Sequence, residues 1–358
     1  MEPVKQERRV IFEISIGIPA YNRRSELVDL LQSIYVQSVL PAEITICEDR
    51  SPERDGIRAV VDAWRDRFTA ESCLINYREN ERNLGYDGNV REVIGVSRSP
   101  WVMLMGNDDL LMPGCIEAVA KFIAVHPHVP MISRSFVMFK DDLQTVLGTS
   151  RLSLEDRIYD MGNSSPAMVF RTTGFVGGLI VRQDWASALA TDKYDGSLYY
   201  QVYLAAVAFC QGGIGYISKH TVGSRYGNPP LFGSAASEKG VHIPGSYTPK
   251  GRANMWAWVL QITEDVGRQF GVDLRSDVKT ELEVRQSFHI FEMMAAAGRP
   301  QLLELRMEFQ KLGLFSHPVP RALYIIDFLF GSKANLFYRT VRRLRGRAVS
   351  RRASGNAE

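Results

Sequence analysis

The feature that most constrains this chain is Trp101–Leu111, WVMLMGNDDLL. Trp101 to Met105 are bulky and uncharged, the pattern of a strand buried on both faces. Gly106 breaks the run, and Asn107, Asp108 and Asp109 follow before the apolar Leu110 and Leu111. Acidic residues at the carboxyl end of a buried strand stand where open α/β sheets bind ligands. Adjacent carboxylates repel, so they call for a cation, a basic side chain or raised pKa values. Mg²⁺ or Mn²⁺ suits one or two carboxylates when phosphates and water complete its shell. A solvated turn is the alternative, because Asn and Asp favour turns.

The chain before this stretch alternates strand and helix patterns. Val10–Ile18 reads as a first strand, ending at the turn Pro19-Ala20-Tyr21-Asn22, and Ser25–Val36 carries a helical apolar period. Glu43–Cys47 is a second strand, Ile57–Phe68 a second amphipathic helix and Leu74–Tyr77 a third strand. A polar loop is expected over Arg78–Asn89, then a helix over Val90–Val96 and the buried strand at Trp101–Met105. This alternation predicts an α/β fold, a mostly parallel Rossmann-like sheet flanked by helices and joined by right-handed crossovers. Asn22, Asp49, Asn83 and Asp109 each follow a strand, so they converge on one sheet edge.

Beyond residue 115 the pattern continues with a helix at Ile116–Val125 and strands at Met131–Phe139 and Thr145–Leu147. Ser164–Phe170 and the Gly-rich Gly174–Val181 follow, the latter able to approach a ligand closely. Tyr199–Cys210 is an apolar helix and Tyr216–Tyr226 a strand running into a polar loop. Gly227–Lys250 is rich in Gly, Pro and Ser, the composition of a lid or a disordered loop. Arg252–Phe270 and Val278–Ala297 are helical by period. Arg321–Phe330 is apolar and aromatic, and Tyr338–Arg352 adds Arg339, Arg342, Arg343, Arg345, Arg347, Arg351 and Arg352 with no acid among them. That succession suits an interfacial helix on an anionic membrane surface, with a docked helix and solvated tail as the alternative.

Composition narrows the class. With 358 residues, 45% apolar and 23% charged, the chain has the make-up of a globular protein of one large or two modest domains. A net charge of +3 gives no reason to expect a nucleic-acid partner. Cys47, Cys73, Cys115 and Cys210 lie far apart without CxxC spacing, which suits reduced thiols in the cytoplasm rather than zinc or disulfides. No apolar signal core opens the sequence, and no uncharged apolar run reaches the roughly 18 residues of a spanning helix.

Four segments together resemble a family 2 glycosyltransferase of GT-A fold: Ile16–Ile34 (IGIPAYNRRSELVDLLQSI), Ile46–Pro52 (ICEDRSP), Asn80–Val90 (NERNLGYDGNV) and Trp101–Leu111. The NxGxxxN spacing of Asn83, Gly85 and Asn89, followed by the GNDDLL end, is similar to abequosyltransferase-type members, which build bacterial surface polysaccharides such as O-antigen. The likeness is close over residues 10–125 and fades after about 185. It implies a GT-A domain over 1–230, with a nucleotide-sugar half (10–125) and an acceptor half (126–230). A lid (231–250), a helical region (251–320) and an apolar-then-basic tail (321–358) would follow.

The resemblance implies transfer of a sugar from a nucleoside-diphosphate-sugar donor to a hydroxyl of a glycan or lipid-linked glycan, with inversion. It places Pro19, Ala20, Tyr21 and Asn22 along the nucleoside, Asp49 at the base or ribose, and Asn83, Gly85 and Asn89 near the nucleotide. Asp109 matches the metal-ligating end of the family's DxD motif, with Asp108 sharing that role or turned away. The first DxD position is Asn107 here, which keeps a carbonyl ligand but lowers the charge of the site.

The family's Glu-Asp pair is absent. An inverting transfer needs a base within reach of the acceptor hydroxyl, and Asp195 is the candidate, ahead of Asp192 and Asp184. Asp195 as the cap of the next helix is the alternative. Arg225 is placed to pair with a diphosphate, with surface ion pairing as its alternative. His220 and Asn228 lie nearby, His242 falls in the lid, and Tyr86 and Asp87 either reach the sugar or shape their loop. Two rival readings stand beside this one: a catalytically silent binding protein, suggested by Asn107 and the missing pair, and a nucleotidyltransferase. The latter lacks its glycine-rich phosphate loop, since PAYNRR carries no glycine.

Overall fold

The computed structural model describes residues 9–341. The chain opens with β1 (Arg9–Ala20), α1 (Arg24–Tyr35), β2 (Val39–Glu48), α2 (Arg54–Thr69), β3 (Leu74–Glu79), α3 (Gly85–Val96) and β4 (Trp101–Leu104). It continues through β5 (Leu110–Leu111), α4 (Cys115–Val125), β6 (Met131–Lys140), β7 (Val146–Ser150), β8 (Arg157–Tyr159) and α5 (Ala167–Thr173). Then come β9 (Leu179–Arg182), α6 (Gln183–Ala188), α7 (Tyr200–Gln211) and β10 (Ile214–Tyr226). The rest is helical: α8 (Pro249–Phe270), α9 (Arg275–Glu281), α10 (Ser287–Met294), α11 (Arg299–Lys311) and α12 (Pro318–Phe330), with residues 334–341 also helical.

One sheet runs through the molecule in the order β3-β2-β1-β4-β9-β6-β10-β5. The first four strands are all parallel, as their alternation with helices requires. Past β4 the pairing turns antiparallel, because β9 runs against both β4 and β6, and parallel pairing returns between β6 and β10. The sheet is therefore parallel on its nucleotide-expected side and mixed beyond it.

Two cores cover its faces. On one face α1, α2 and α4 bury Leu27, Leu30, Leu31, Ile34, Ile57, Val61, Phe68 and Ile116 against β1 and β2. On the other, α3, α5 and α7 share a continuous core with α8 to α12, joined through Tyr200, Trp256 and Phe309. The C-terminal helices thus form the wall facing the strand ends.

Three expectations shift. Helix α3 begins at Gly85, inside the expected polar loop, because its first turn is held by side chains from elsewhere. Most of Ser164–Phe170 lies in or just before α5 rather than extended. The expected helix over Val278–Ala297 is interrupted by a π-helical turn at Leu282–Gln286, between α9 and α10. Among the described residues no helix is long and apolar enough to cross a membrane. The basic positions from Arg342 onward lie outside the described residues.

Candidate functional site

The strand ends open into one cleft of about 1010 Å³. Its floor starts where β1 stops. Asn22 and Arg23 both have φ near +60° (54° and 62°), a region that Asn tolerates and Arg rarely adopts. This kink brings the Asn22 carbonyl to the Asn107 amide, which donates to it at 2.8 Å. It also lets Arg23 donate to the Asp108 carboxylate at 2.5 Å and to the Pro229 carbonyl at 2.7 Å. Asn228 donates to the same Asp108 oxygen at 3.0 Å.

Asp109 is buried. One oxygen accepts from the Arg225 N–H at 3.3 Å, and the other lies over bare backbone at Gly106 and Gly177. A Cβ on Gly177 would clash with that oxygen, so the glycine makes room for the carboxylate. Burial, then the neighbouring Asp108 charge, pushes the Asp109 pKa well above the ordinary range. A divalent cation would relieve that cost, and Asp109 with Asp108 supplies the one or two carboxylates that Mg²⁺ or Mn²⁺ takes beside phosphate oxygens. Among the described residues no three His, Cys, Asp or Glu side chains form a protein-only metal cage.

The nucleotide-side loop is held by carboxylates at the start of α3. Asp49 accepts from the backbone N–H groups of Leu84 (2.8 Å) and Gly85 (3.0 Å) and from the Asn80 amide (2.8 Å). Burial outweighs these bonds and raises the Asp49 pKa to about 6. Glu238, from the segment after β10, takes the next N–H, that of Tyr86, at 2.8 Å. Three successive orphan donors of α3 are thereby satisfied from two distant segments, favourably placed at the positive end of a helix. Asn83 also accepts from Gly85 N–H at 2.9 Å, while Asn89 donates to the Cys47 carbonyl and accepts from Asn80.

Most of the predicted site residues converge. Pro19, Tyr21, Asp49, Asn83, Gly85, Asn89, Asn107, Asp108, Asp109 and Arg225 all line the cleft. Ala20 and Asn22 do not. Ala20 is buried and its carbonyl accepts from Asp49 N–H, whereas the Asn22 side chain accepts from Glu53 N–H.

Two predicted roles meet a different geometry. Asp195 is in a bidentate ion pair with Arg91 (2.6 and 2.9 Å) and is not among the residues lining the cleft. Asp192 is exposed, and Asp184 pairs with Arg182. Nor does Asp195 cap α7. That work falls to buried Asp87, which accepts from the N–H groups of Gly196, Leu198 and Tyr200. The Arg225 guanidinium is already engaged by Asp29 at 2.6 Å, by Asp141 and by the Asp108 carbonyl, so it braces the acidic turn instead of presenting a free fork. His220 bonds Arg151 away from the cleft.

Other residues of the cleft lack a periodic signal. Glu238 is one. Arg134 is another, a buried guanidinium in the apolar strand β6 whose pKa falls to about 9 through desolvation, with Asp109 countering. Its head group lies over Phe175 and Phe136. A charge amid MISRSFVMF is the signal that could have found it. Tyr86 donates to Gln201 at 3.1 Å, and both line the cleft.

Strand-end acids above a sheet of this order make an α/β domain of GT-A type. Residues 15–175, just under half of the chain, match the family described as glycosyl transferase family 2. The chain is 26% identical over 222 residues to abequosyltransferase RfbV of Salmonella typhimurium, covering 58% of this chain and 65% of the relative. It is also 26% identical over 178 residues to an uncharacterized glycosyltransferase of Haemophilus influenzae, covering 46% of this chain and 56% of that one. The match therefore spans under two thirds of either relative. Among solved structures, S. aureus TarS 1–349 in complex with UDP-GlcNAc superposes with a TM-score of 0.54 at 14% identity over 92% of each chain, a likeness of fold.

Proposed function

We propose that this protein transfers a sugar, a hexosyl or deoxyhexosyl group, from a nucleoside-diphosphate-sugar to a hydroxyl of a glycan or lipid-linked glycan. The observation that carries the reading is the acidic turn Asn107-Asp108-Asp109 standing in one cleft with the nucleotide-side residues Asp49, Asn83 and Gly85. The names of the relatives and the UDP-GlcNAc bound to the TarS neighbour support a nucleotide-sugar donor.

In this reading Pro19 and Tyr21 face the nucleoside, and Asp49 holds the loop that covers it. Asp109, with Asp108, would hold Mg²⁺ or Mn²⁺. When bound, that ion offsets charge on the departing nucleoside diphosphate as a Lewis acid. Arg225 fixes the turn that aims Asp109, and the lid residues Asn228 and Glu238 close over both arms. Direct displacement with inversion then depends on positioning and electrostatics more than on covalent chemistry.

A second reading, donor binding without turnover, is favoured by Asp195 lying off the cleft and by Asn107 at the first acidic position. Thermal stability against a panel of nucleoside diphosphates, with and without Mn²⁺, separates them, because a ligand of the folded state raises stability by mass action. A Mn²⁺-dependent shift with one nucleotide, lost in Asp109→Ala, together with donor turnover supports transfer. Binding without hydrolysis or transfer to any acceptor supports the silent reading, and no shift at all defeats both.

We further propose that the C-terminal helices rest on an anionic membrane surface. Helix α12 turns Ile325, Leu329 and Phe330 outward, and Leu336 and Phe337 continue the apolar face. Arg321, Lys333 and Arg339 are exposed beside them. From Phe309 to Ala357 the only acid is Asp327, which is buried and bonded to Tyr338. Exposed apolar side chains with cations close by in the same segment suit an interface of acidic lipid.

A further inference from the structure

Among the described residues two arginines are buried, Arg134 and Arg252, and neither has a carboxylate partner, unlike the more accessible Arg225 and Arg171 beside them in the cleft. Arg225 carries Asp29 and Asp141, and Arg171 carries Glu281. Arg134 has no ion pair among the described residues, but it stands in the field of Asp109 and donates to the Phe175 carbonyl at 3.0 Å. Arg252 likewise has no ion pair among the described residues, and no carbonyl accepts from its guanidinium there.

Arg252 lies in the first turn of α8 and is 9% exposed. Its Nη1 and Nη2 reach only sulfur, Met255 Sδ at 3.8 Å and Met293 Sδ at 3.5 Å. Its Nε is buried with no partner. The guanidinium carbon stands 3.6 Å from the Tyr247 ring centroid. Thioethers are weak acceptors, and a single aromatic face offsets only part of the cost of burying a charge. The side chain lines the cleft, so an anion entering there would complete it.

Its position separates it from the strand ends. Asp49 and the acidic turn belong to the sheet edge, whereas the surroundings of Arg252 are Tyr247 from the segment before α8, Met255 on α8 and Met293 on α10. We propose that Arg252 is an oxyanion subsite for the acceptor, taking a phosphate or carboxylate carried by the incoming glycan. This rests on the glycosyltransferase reading for which molecule is the acceptor. It adds that the acceptor is acidic.

The test is calorimetric titration of the full chain with glucose 6-phosphate and with glucose, in the presence of saturating UDP and Mn²⁺. UDP alone is titrated first. The expected result is binding of the phosphate ester but not of glucose, weakened at least about tenfold in Arg252→Gln and partly restored in Arg252→Lys, with UDP affinity unchanged. Equal binding of the ester by wild type and Arg252→Gln overturns the subsite. A parallel loss of UDP affinity in Arg252→Gln overturns the acceptor assignment and gives the arginine to the donor diphosphate. Should Arg252→Gln fail to fold, Arg252→Lys decides, because a point charge without the planar fork weakens the ester and leaves UDP alone. If wild type binds no UDP, the glycosyltransferase reading fails by itself, and titration of the ester without UDP still judges Arg252.

Discussion

The backbone N–H of Tyr86 donates to the carboxylate of Glu238 at 2.8 Å, across 152 residues of sequence. The second Glu238 oxygen accepts from Gly233 N–H at 2.6 Å, so one buried carboxylate ties the lid to the start of α3. Glu238→Gln leaves one acceptor oxygen and removes the charge. We expect a cost of about 1 kcal/mol, read as roughly fivefold faster amide exchange over residues 231–248. Unchanged exchange there would show that the lid is held by other contacts.

Asp109 is an electrostatic burden on the fold. Asp109→Asn should therefore leave Tm unchanged or raise it, while donor turnover falls by about 100-fold or more. A melting curve beside a turnover assay checks both arms. A Tm well below that of wild type would mean that the carboxylate stabilises the turn.

Asp195→Asn should behave in the opposite sense. The bidentate pair with Arg91 is only about a quarter exposed on each side (24% and 23%), so its loss costs about 1–3 kcal/mol of stability. Turnover should stay within a few-fold of wild type. A collapse of kcat with an intact fold would restore Asp195 as the base.

Asp49 gives a pH signature. Its carboxyl titrates near 6 in the folded chain and near 4 when unfolded, so between those values the folded chain binds more protons. Stability therefore falls as pH rises through that window, and is greatest from this group below pH 4. Asp49→Asn should flatten Tm against pH between 4 and 6. A slope unchanged by the substitution would assign it to other buried acids, such as Asp87, raised to about 7 by burial.

Membrane docking is tested by flotation with phosphatidylglycerol and phosphatidylcholine vesicles. Wild type should float with the anionic vesicles only, and the double substitution Leu329→Ser, Phe330→Ser should weaken this by roughly tenfold, from the lost apolar area. Equal flotation of the variant would place contact elsewhere.

The sheet edge was legible because period and turn chemistry act locally. β1, β2 and β4 are short apolar runs stopped by polar turns, and the cleft residues at their ends follow from topology. What stayed hidden depends on partners far away in sequence. Gly85-Tyr86-Asp87-Gly88-Asn89 is a poor helix former by propensity, and it starts α3 only because Asp49 and Glu238 take its N–H groups. Arg91 lies 104 residues from Asp195, and nothing in either segment announces the pair. The π-helical turn at Leu282–Gln286 leaves the apolar period nearly intact, so period alone does not reveal it.

The change from parallel to antiparallel pairing at β4 also sets an order of assembly. β4 finds β1 as soon as residue 104 has emerged, but its other edge waits for β9 at Leu179–Arg182. Until then a wholly apolar strand offers an open edge, the kind of surface that recruits other chains. The cleft itself closes later still, when β10 and the lid arrive. For a nascent chain, the hazardous interval lies between these two pairings, and a chaperone or a slow stretch of translation would have most to protect there.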